Sequence, residues 1–396
     1  MKKTILFVID SLECAGAEKS LVTLLGLLDY TKYEVDLMMF GHGGGLEEFV
    51  PRDVNILPPL TYTEFSNLSI KKALFFSLKN FEFRKFASRI NYSTSIRINK
   101  YKNSEKARIY WQSVSSVIEE NPKEYDIAIS YAQGVPTFYV AEKIKAKKKL
   151  AWVNVSYRLN EKDKKFQEYF YNNIDRIVAV SDSTRKIFLE TFPVYNKKTT
   201  VLYDIVNPDL IFQMAEQNKG FNDGFNGLKI LTIGRLDYQK GYDIALEACK
   251  LMKEKGMNFR WYVLGKGKLQ KDIEDYIKIN KLANHFILLG TTGNPYPYIK
   301  KADIYVQTSK FEGFGLAIAE ARILNTPVVT TRFDAVYNQM IDNKNGLVVN
   351  MDGKSVSEGI IKLVKNKRLR TSIVKYLQIE KKGNTEDINK FYQLIG

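Results

Sequence analysis

The run Gly234-Arg235-Leu236-Asp237-Tyr238-Gln239-Lys240-Gly241 brings two cations, Arg235 and Lys240, to the point where an apolar strand gives way to a helix. In an open parallel sheet, ligands bind beyond the carboxyl ends of the strands, and a helix N-terminus there offers free backbone N–H groups and a partial positive charge. Two full charges added at that end suit a diphosphate, and a solvated basic loop is the plainer alternative. A second run, Ser309 to Ala321, carries Gly313 and Gly315, which let a ligand approach the backbone, and the carboxylates Glu312 and Glu320. With the helix beginning near Gly313 and Glu312 at its start, the two carboxylates share one side and lie ~10–12 Å apart. That is too far for a pair acting on one bond, but it suits two hydroxyl-rich parts of one extended ligand. The plainer alternative is a first-turn glutamate favoured by the helix dipole and an ordinary buried one.

Two weaker turns follow strands elsewhere. Asp10 to Glu18 is a small-residue turn containing Gly16, and Val263 to Lys268 contains Gly265 and Gly267. Neither is a G-x-G-x-x-G or P-loop fingerprint. No D-x-D pair occurs, and the two histidines, His42 and His285, lie far apart with no metal-ligand spacing. Metal catalysis is therefore disfavoured and no cofactor is expected; Arg235 and Lys240 take over the neutralising charge. His285 reads as structural, whereas His42 sits in a glycine loop after the second strand.

The elements that must position these residues alternate. Near-continuous Val, Ile and Leu runs at 4–10, 33–40, 125–130, 150–155, 176–181 and 200–205 read as buried parallel strands. After a break they resume at 229–234, 260–265, 285–290, 303–309, 327–331 and 346–350, with helical patterns between them. The expectation is an α/β chain of two domains. Residues 1–206 form the first, 207–227 a hinge rich in turn-formers, 228–380 the second, and 381–396 a terminal helix capped by Thr385.

Hydrophobic residues make up 45% of the 396 and charged residues 26%, which excludes a disordered chain. The formal net charge of +16 points to anionic partners. The excess concentrates between Lys71 and Arg108, where eleven Lys or Arg face only Glu82 and Glu105 and alternate with aromatic residues. Lys143, Lys145, Lys147, Lys148 and Lys149 form a second basic cluster. Cys14 and Cys249 are far apart and outside any C-x-x-C pattern, as fits a reducing cytosol. The first apolar run is too short for a membrane span and reads as a strand rather than a leader.

Taken in order, Gly234-Arg235 with Lys240-Gly241, Val263 to Gly267, Ala302 to Tyr305, Ser309 to Ala321, Pro327 to Val329 and Asn345 to Leu347 resemble the family 4 glycosyltransferases of bacterial polysaccharide synthesis. The resemblance covers roughly residues 229–350; the first half matches more loosely, with Ala15-Gly16-Ala17-Glu18 similar to the family's G-G-A-E loop. It implies the GT-B fold, two Rossmann-like domains whose parallel sheets face each other across a cleft, and retaining transfer from a nucleotide-sugar, with UDP-sugars as the expected donor class. It further implies that Arg235 and Lys240 hold the donor diphosphate and Gly16, Gly265, Phe314, Gly315 and Leu316 line the donor. Glu312 would contact the transferred sugar and Glu320 the ribose, and the last helix would cross back onto the first domain. Asn154 departs from the pattern, standing where many members carry a histidine, and so does Asp204, where an asparagine is common.

The expected function is therefore metal-independent sugar transfer to a saccharide or lipid-linked saccharide acceptor. The expected setting is cytoplasmic, with Lys71–Arg108 either resting on an anionic membrane surface or forming an ordinary solvated basic face, and with no nucleic acid as partner. A nucleotide-sugar epimerase or phosphorylase, and a non-catalytic partner of an active transferase, remain as rival readings.

Overall fold

The computed structural model describes residues 2–13, 16–97, 101–155, 159–217 and 220–396. It divides into two compact units. The first holds residues 17–202 with the opening strand and returns for 390–396; the second holds 203–389.

Unit 1 is built on β1 (Lys3–Ile9), β2 (Tyr33–Met39), β3 (Val54–Ile56), β4 (Glu124–Ser130), β5 (Lys145–Val153), β6 (Arg176–Ala179) and β7 (Thr199–Val201). They pair in the order β3-β2-β1-β4-β5-β6-β7, every neighbour parallel. Unit 2 carries β8 (Leu228–Ile233), β9 (Phe259–Leu264), β10 (Phe286–Gly290), β11 (Ile304–Gln307), β12 (Val328–Thr331) and β13 (Gly346–Val349) in the order β10-β9-β8-β11-β12-β13, again all parallel. Helices cover the strands, so the central strands are buried on both faces and read as unbroken apolar runs. In each sheet the order reverses once, between β1 and β4 and between β8 and β11. Those switch points leave a crevice at the strands' carboxyl ends.

Several expectations shift. The edge strand β3 is only three residues long and carries no sequence signal of its own. Residues 145–149, expected as a basic cluster, form the first half of β5. Lys147 pairs with Asp126 at 2.8 Å, and Lys149 donates to the Ala141 carbonyl at 2.9 Å. Burial lowers the Lys149 pKa. Lys148 and Lys149 are thus partly buried in unit 1, whereas Lys145 and Lys147 stay exposed, Lys147 within its ion pair. Arg108, counted with the basic stretch, is also buried, 2.6 Å from Asp163.

Turn-formers place a hinge at 207–227, yet this segment begins with the helix Pro208–Ala215. Asn207 caps it, accepting from the N–H groups of Asp209 and Leu210, and Pro208 takes the first helical position, where its missing N–H costs nothing. Further on, Phe221 packs on Tyr262 at 4.4 Å, and Asp223 accepts from Arg260 and Tyr262. His285 stacks on Phe259, its Nδ1 3.0 Å from the Phe259 carbonyl.

The terminal helix begins at Ile388, after a 3-10 turn at Thr385–Asp387. Phe391 is fully buried in unit 1 between Phe7 and Trp152, and Tyr392 stacks on Tyr33 at 5.6 Å while accepting from the Asp29 N–H. The last residues are therefore part of the first core. Phe391→Ala should destabilise unit 1 by about 3–5 kcal/mol, the range for an emptied phenylalanine site. Urea unfolding followed by tryptophan fluorescence measures it, and a loss below about 1 kcal/mol would contradict this packing.

Candidate functional site

The loops that follow β8 and β11 flank the switch point of unit 2, and a set of cross-links ties them together. Lys310 N–H donates to the Gln239 carbonyl at 2.8 Å, and the Gln239 amide donates to the Phe311 carbonyl at 3.0 Å. The Thr308 hydroxyl donates to the Lys240 carbonyl at 2.8 Å. A further link is chemical as well as structural: Lys240 Nζ lies 2.6 Å from Glu312 Oε1. Side-chain exposure is 17% for Lys240 and 8% for Glu312, so the pair is largely out of water.

Glycine makes this approach possible. Gly241 has φ of +62°, and a Cβ there would stand 2.1 Å from the Thr308 carbonyl oxygen. At Gly265, after β9, a Cβ would stand 1.9 Å from the Gly234 carbonyl oxygen. Any side chain at either position would push the loops apart.

Glu312 is held asymmetrically. Its Oε1 accepts from Lys240, from the Ser309 hydroxyl at 2.6 Å and from the Gln307 amide at 2.7 Å. Its Oε2 has one long bond, from the Gln239 amide at 3.3 Å. The first oxygen is saturated and fixes the carboxylate, and the second keeps capacity for a ligand hydroxyl. Sequence reasoning misses these fixing residues, although a signal exists. Tyr305, Gln307 and Ser309 alternate along β11 and its extension, and a period of two places them on one face. The Tyr305 hydroxyl donates to Oε1 of Gln307, and the Gln307 amide in turn donates to the Ser309 hydroxyl.

Glu312 does not begin the following helix. Gly315, with φ of +86°, is the residue before it, and the helix runs Leu316–Ile323. Glu320 alone is helical, so the expectation of two glutamates on one helix side is corrected. The left-handed Gly315 adds a loop turn that helix periodicity cannot show. Gln339 braces that turn, its amide donating to the Phe314 and Gly315 carbonyls. Phe314 packs on Tyr203 at 5.8 Å. Glu320 is buried and accepts from the Tyr296 hydroxyl at 3.1 Å.

Arg235 follows β8 but does not reach Glu312. Its side chain is 55% exposed and its Nε is 3.7 Å from Asp237. It is the loosely held partner of a fixed lysine, free to reach a ligand at small cost. A hollow of about 690 Å³ elsewhere in unit 2, lined by Lys255, Lys365, Lys367 and Arg368 among others, touches none of these groups.

Gly16 is exposed and opens the helix Gly16–Gly26; Cys14 and Ala15 of the same loop lie outside the described residues. In unit 1, Asn154 follows β5. Its amide donates to the Tyr131 carbonyl at 2.6 Å, and its Oδ1 has no partner among the described residues. A carboxamide so placed orients but does not accept a proton. Asp10, past the end of β1, is a residue that sequence patterns give no role. Its side chain reaches solvent, yet enough protein surrounds it to push its pKa up to about 6.

Residues 216–379 match the family model described as "Glycosyl transferases group 1". An uncharacterized glycosyltransferase of Methanocaldococcus jannaschii is 28% identical over 215 residues, covering 54% of this chain and 56% of the relative. The N-acetylgalactosamine-N,N'-diacetylbacillosaminyl-diphospho-undecaprenol 4-alpha-N-acetylgalactosaminyltransferase of Campylobacter jejuni is 28% identical over 202 residues, 50% of this chain and 53% of the relative. The chain spans about half the length of the curated relatives it matches. Among solved structures, a Staphylococcus aureus TarM mutant in complex with fondaparinux, alpha-GlcNAc-glycerol and UDP superposes with a TM-score of 0.70 at 16% identity over 99% of both chains. WaaG, a glycosyltransferase involved in lipopolysaccharide biosynthesis, gives 0.67 at 13% identity, also over 99% of both. The ordered motifs are thereby accounted for. Residues 216–379 are similar to the group 1 glycosyl transferases, and the chain shares the two-sheet GT-B fold of the solved structures.

Breaking a buried ion pair from one side strands a charge. Lys240→Met should therefore cost unit 2 about 2–4 kcal/mol. Adding Glu312→Gln should return about 1–3 kcal/mol of it, because the stranded carboxylate is gone. Urea unfolding of the single and double variants measures the coupling. Additive losses would mean that the two side chains do not depend on each other.

Proposed function

We propose that the chain is a retaining glycosyltransferase that moves a sugar from a nucleoside-diphosphate donor, of the UDP-sugar class, to a saccharide or lipid-linked saccharide in cell-surface polysaccharide synthesis. The observation that carries this reading is the fixed Lys240–Glu312 pair at the switch point of unit 2, with the exposed, loosely paired Arg235 on the same loop as Lys240. UDP is the nucleotide named in the TarM complex, which supports the donor class.

The demand of the reaction is charge. As the bond from the anomeric carbon to the diphosphate lengthens, its electron pair passes to the leaving phosphate oxygen. Lys240, Arg235 and the N–H groups opening the helix Leu316–Ile323 stabilise that oxygen. The acceptor hydroxyl attacks from the same face, its proton goes to the departing phosphate oxygen, and the new glycosidic bond forms with the original configuration. No dedicated base is needed, so Asn154 is tolerated. Glu312 Oε2 takes a hydroxyl of the transferred sugar and Glu320 the ribose. The two cations supply the neutralising charge without a divalent metal. The setting is the cytoplasmic face of a membrane, approached through the basic segment Lys71–Arg108.

A second reading, a non-catalytic partner that binds donor, is favoured by the amide of Asn154, which is tied to a backbone carbonyl and offers no base. A thermal-shift screen over nucleoside diphosphates and nucleotide-sugars, followed by transfer assays with and without chelator, separates the two. UDP should raise the melting temperature by mass action. Lys240→Ala should weaken UDP binding roughly 10- to 150-fold, the worth of one charge-assisted hydrogen bond. Glu312→Ala should chiefly lower turnover, and chelator should leave it unchanged. Donor binding without turnover for any acceptor would favour the partner reading, and no nucleotide response would overturn both.

A further inference from the structure

The helix Ile70–Asn80 is turned the wrong way round for a water-facing helix. Its fully buried positions are the small residues Ala73 and Ser77; of its large apolar residues only Phe76 packs inward, on Phe65, and the others point outward. Ile70, Leu74 and Leu78 follow one another at four-residue spacing and are 53%, 44% and 54% exposed, and Phe75 beside them is 69% exposed. The ridge continues past the helix end. Phe81 is 83% exposed and holds a left-handed φ of 58°, which a bulky residue rarely adopts. Its ring meets the half-exposed Phe83 edge-on at 6.4 Å, where the next helix, Phe83–Arg97, begins.

Cations border this ridge. Lys71, Lys72, Lys79 and Arg84 are exposed and make no ion pair among the described residues. From 69 to 97 the one acid is Glu82, already paired with Lys85 at 2.8 Å. An apolar strip flanked by unpaired lysines matches the headgroup–acyl boundary of an anionic bilayer: the rings and branched chains enter, and the ammonium groups meet lipid phosphates. A second copy of the chain fits poorly, because its matching ridge would bring the same unpaired lysines together.

We propose that the turn joining these two helices is a membrane-insertion edge, with Leu78, Phe81 and Phe83 entering the interface and Lys71, Lys72 and Lys79 anchoring it to anionic lipid. This deepens the proposed function and rests on it for its purpose, which is to bring the enzyme to a lipid-linked acceptor. Charge alone would rest the protein on the surface, whereas the ridge puts part of it below the headgroups.

Flotation of the full chain with phosphatidylcholine vesicles, with and without roughly a third phosphatidylglycerol, tests this at low salt and at about 1 M salt, where the Debye length falls to about 3 Å. Binding should require the anionic lipid at low salt and should persist in part at high salt. Leu78→Ser with Phe81→Ser should abolish the salt-resistant part, with at least a roughly tenfold loss of bound fraction. Lys71→Glu with Lys79→Glu should remove the low-salt part. All four positions are exposed, so circular dichroism and the UDP-induced thermal shift should be unchanged. No vesicle binding, complete loss at high salt, or a dimer dissolved by the Leu78/Phe81 changes without vesicle binding would each overturn the insertion edge. Vesicle binding intact with no UDP response would instead overturn the proposed function alone.

Discussion

One contact organises the second unit: a lysine ammonium after β8 held 2.6 Å from a carboxylate after β11. Two strands adjacent in space but far apart in sequence must end at the same level for that contact to exist. The parallel register Ile304 to Ile230 and Tyr305 to Leu231 provides this. Glycines at 241 and 265 then let the loops close to distances no other residue permits. The pair is more than a structural clip. Glu312 fixes the direction of the largely buried Lys240 ammonium, which is the preorganisation that the proposed diphosphate site relies on. The exposed Arg235 is a second, loosely held cation on the same loop.

Much of this is legible in the chain. The alternation of apolar runs and amphipathic stretches marks twelve of the thirteen strands among the described residues, because parallel strands buried on both faces write themselves as continuous Val, Ile and Leu. The strand left out, Val54–Ile56, is a three-residue edge whose identity comes from pairing with β2. Lys240 and Glu312 are legible as types at strand ends; their contact is not, since it depends on cross-loop hydrogen bonds from Lys310, Gln239 and Thr308. Sequence pattern starts the helix three residues early, at Gly313, because a left-handed glycine interrupts the chain without changing its composition. Asn207-Pro208 reads as turn chemistry, though the same two residues also cap and open a helix. The charge clusters mislead most: a lysine in β5 and one on an open helix look alike in sequence, and only the structure shows that Lys147 and Lys149 already have partners.

The two halves divide the work. Unit 2 supplies fixed positive charge and a held carboxylate. Unit 1 shows the opposite economy. Lys147 and Lys149 of β5 already have partners, Arg108 is locked to Asp163, and the helix Ile70–Asn80 turns outward a ridge of large apolar side chains beside unpaired lysines. Among the described residues no helix is long and apolar enough to cross a membrane. The outward ridge is the apolar surface on which the proposed membrane contact rests.

The most direct test of the Lys240–Glu312 pair as a diphosphate site is a crystal structure of the full chain with UDP. A diphosphate oxygen should lie within hydrogen-bond distance of Lys240 Nζ, with the Arg235 guanidinium turned toward the same phosphates and the N–H groups of Gly315 and Leu316 facing them. A nucleotide bound with both phosphates away from Lys240, the Lys240–Glu312 pair closed and untouched, would contradict it.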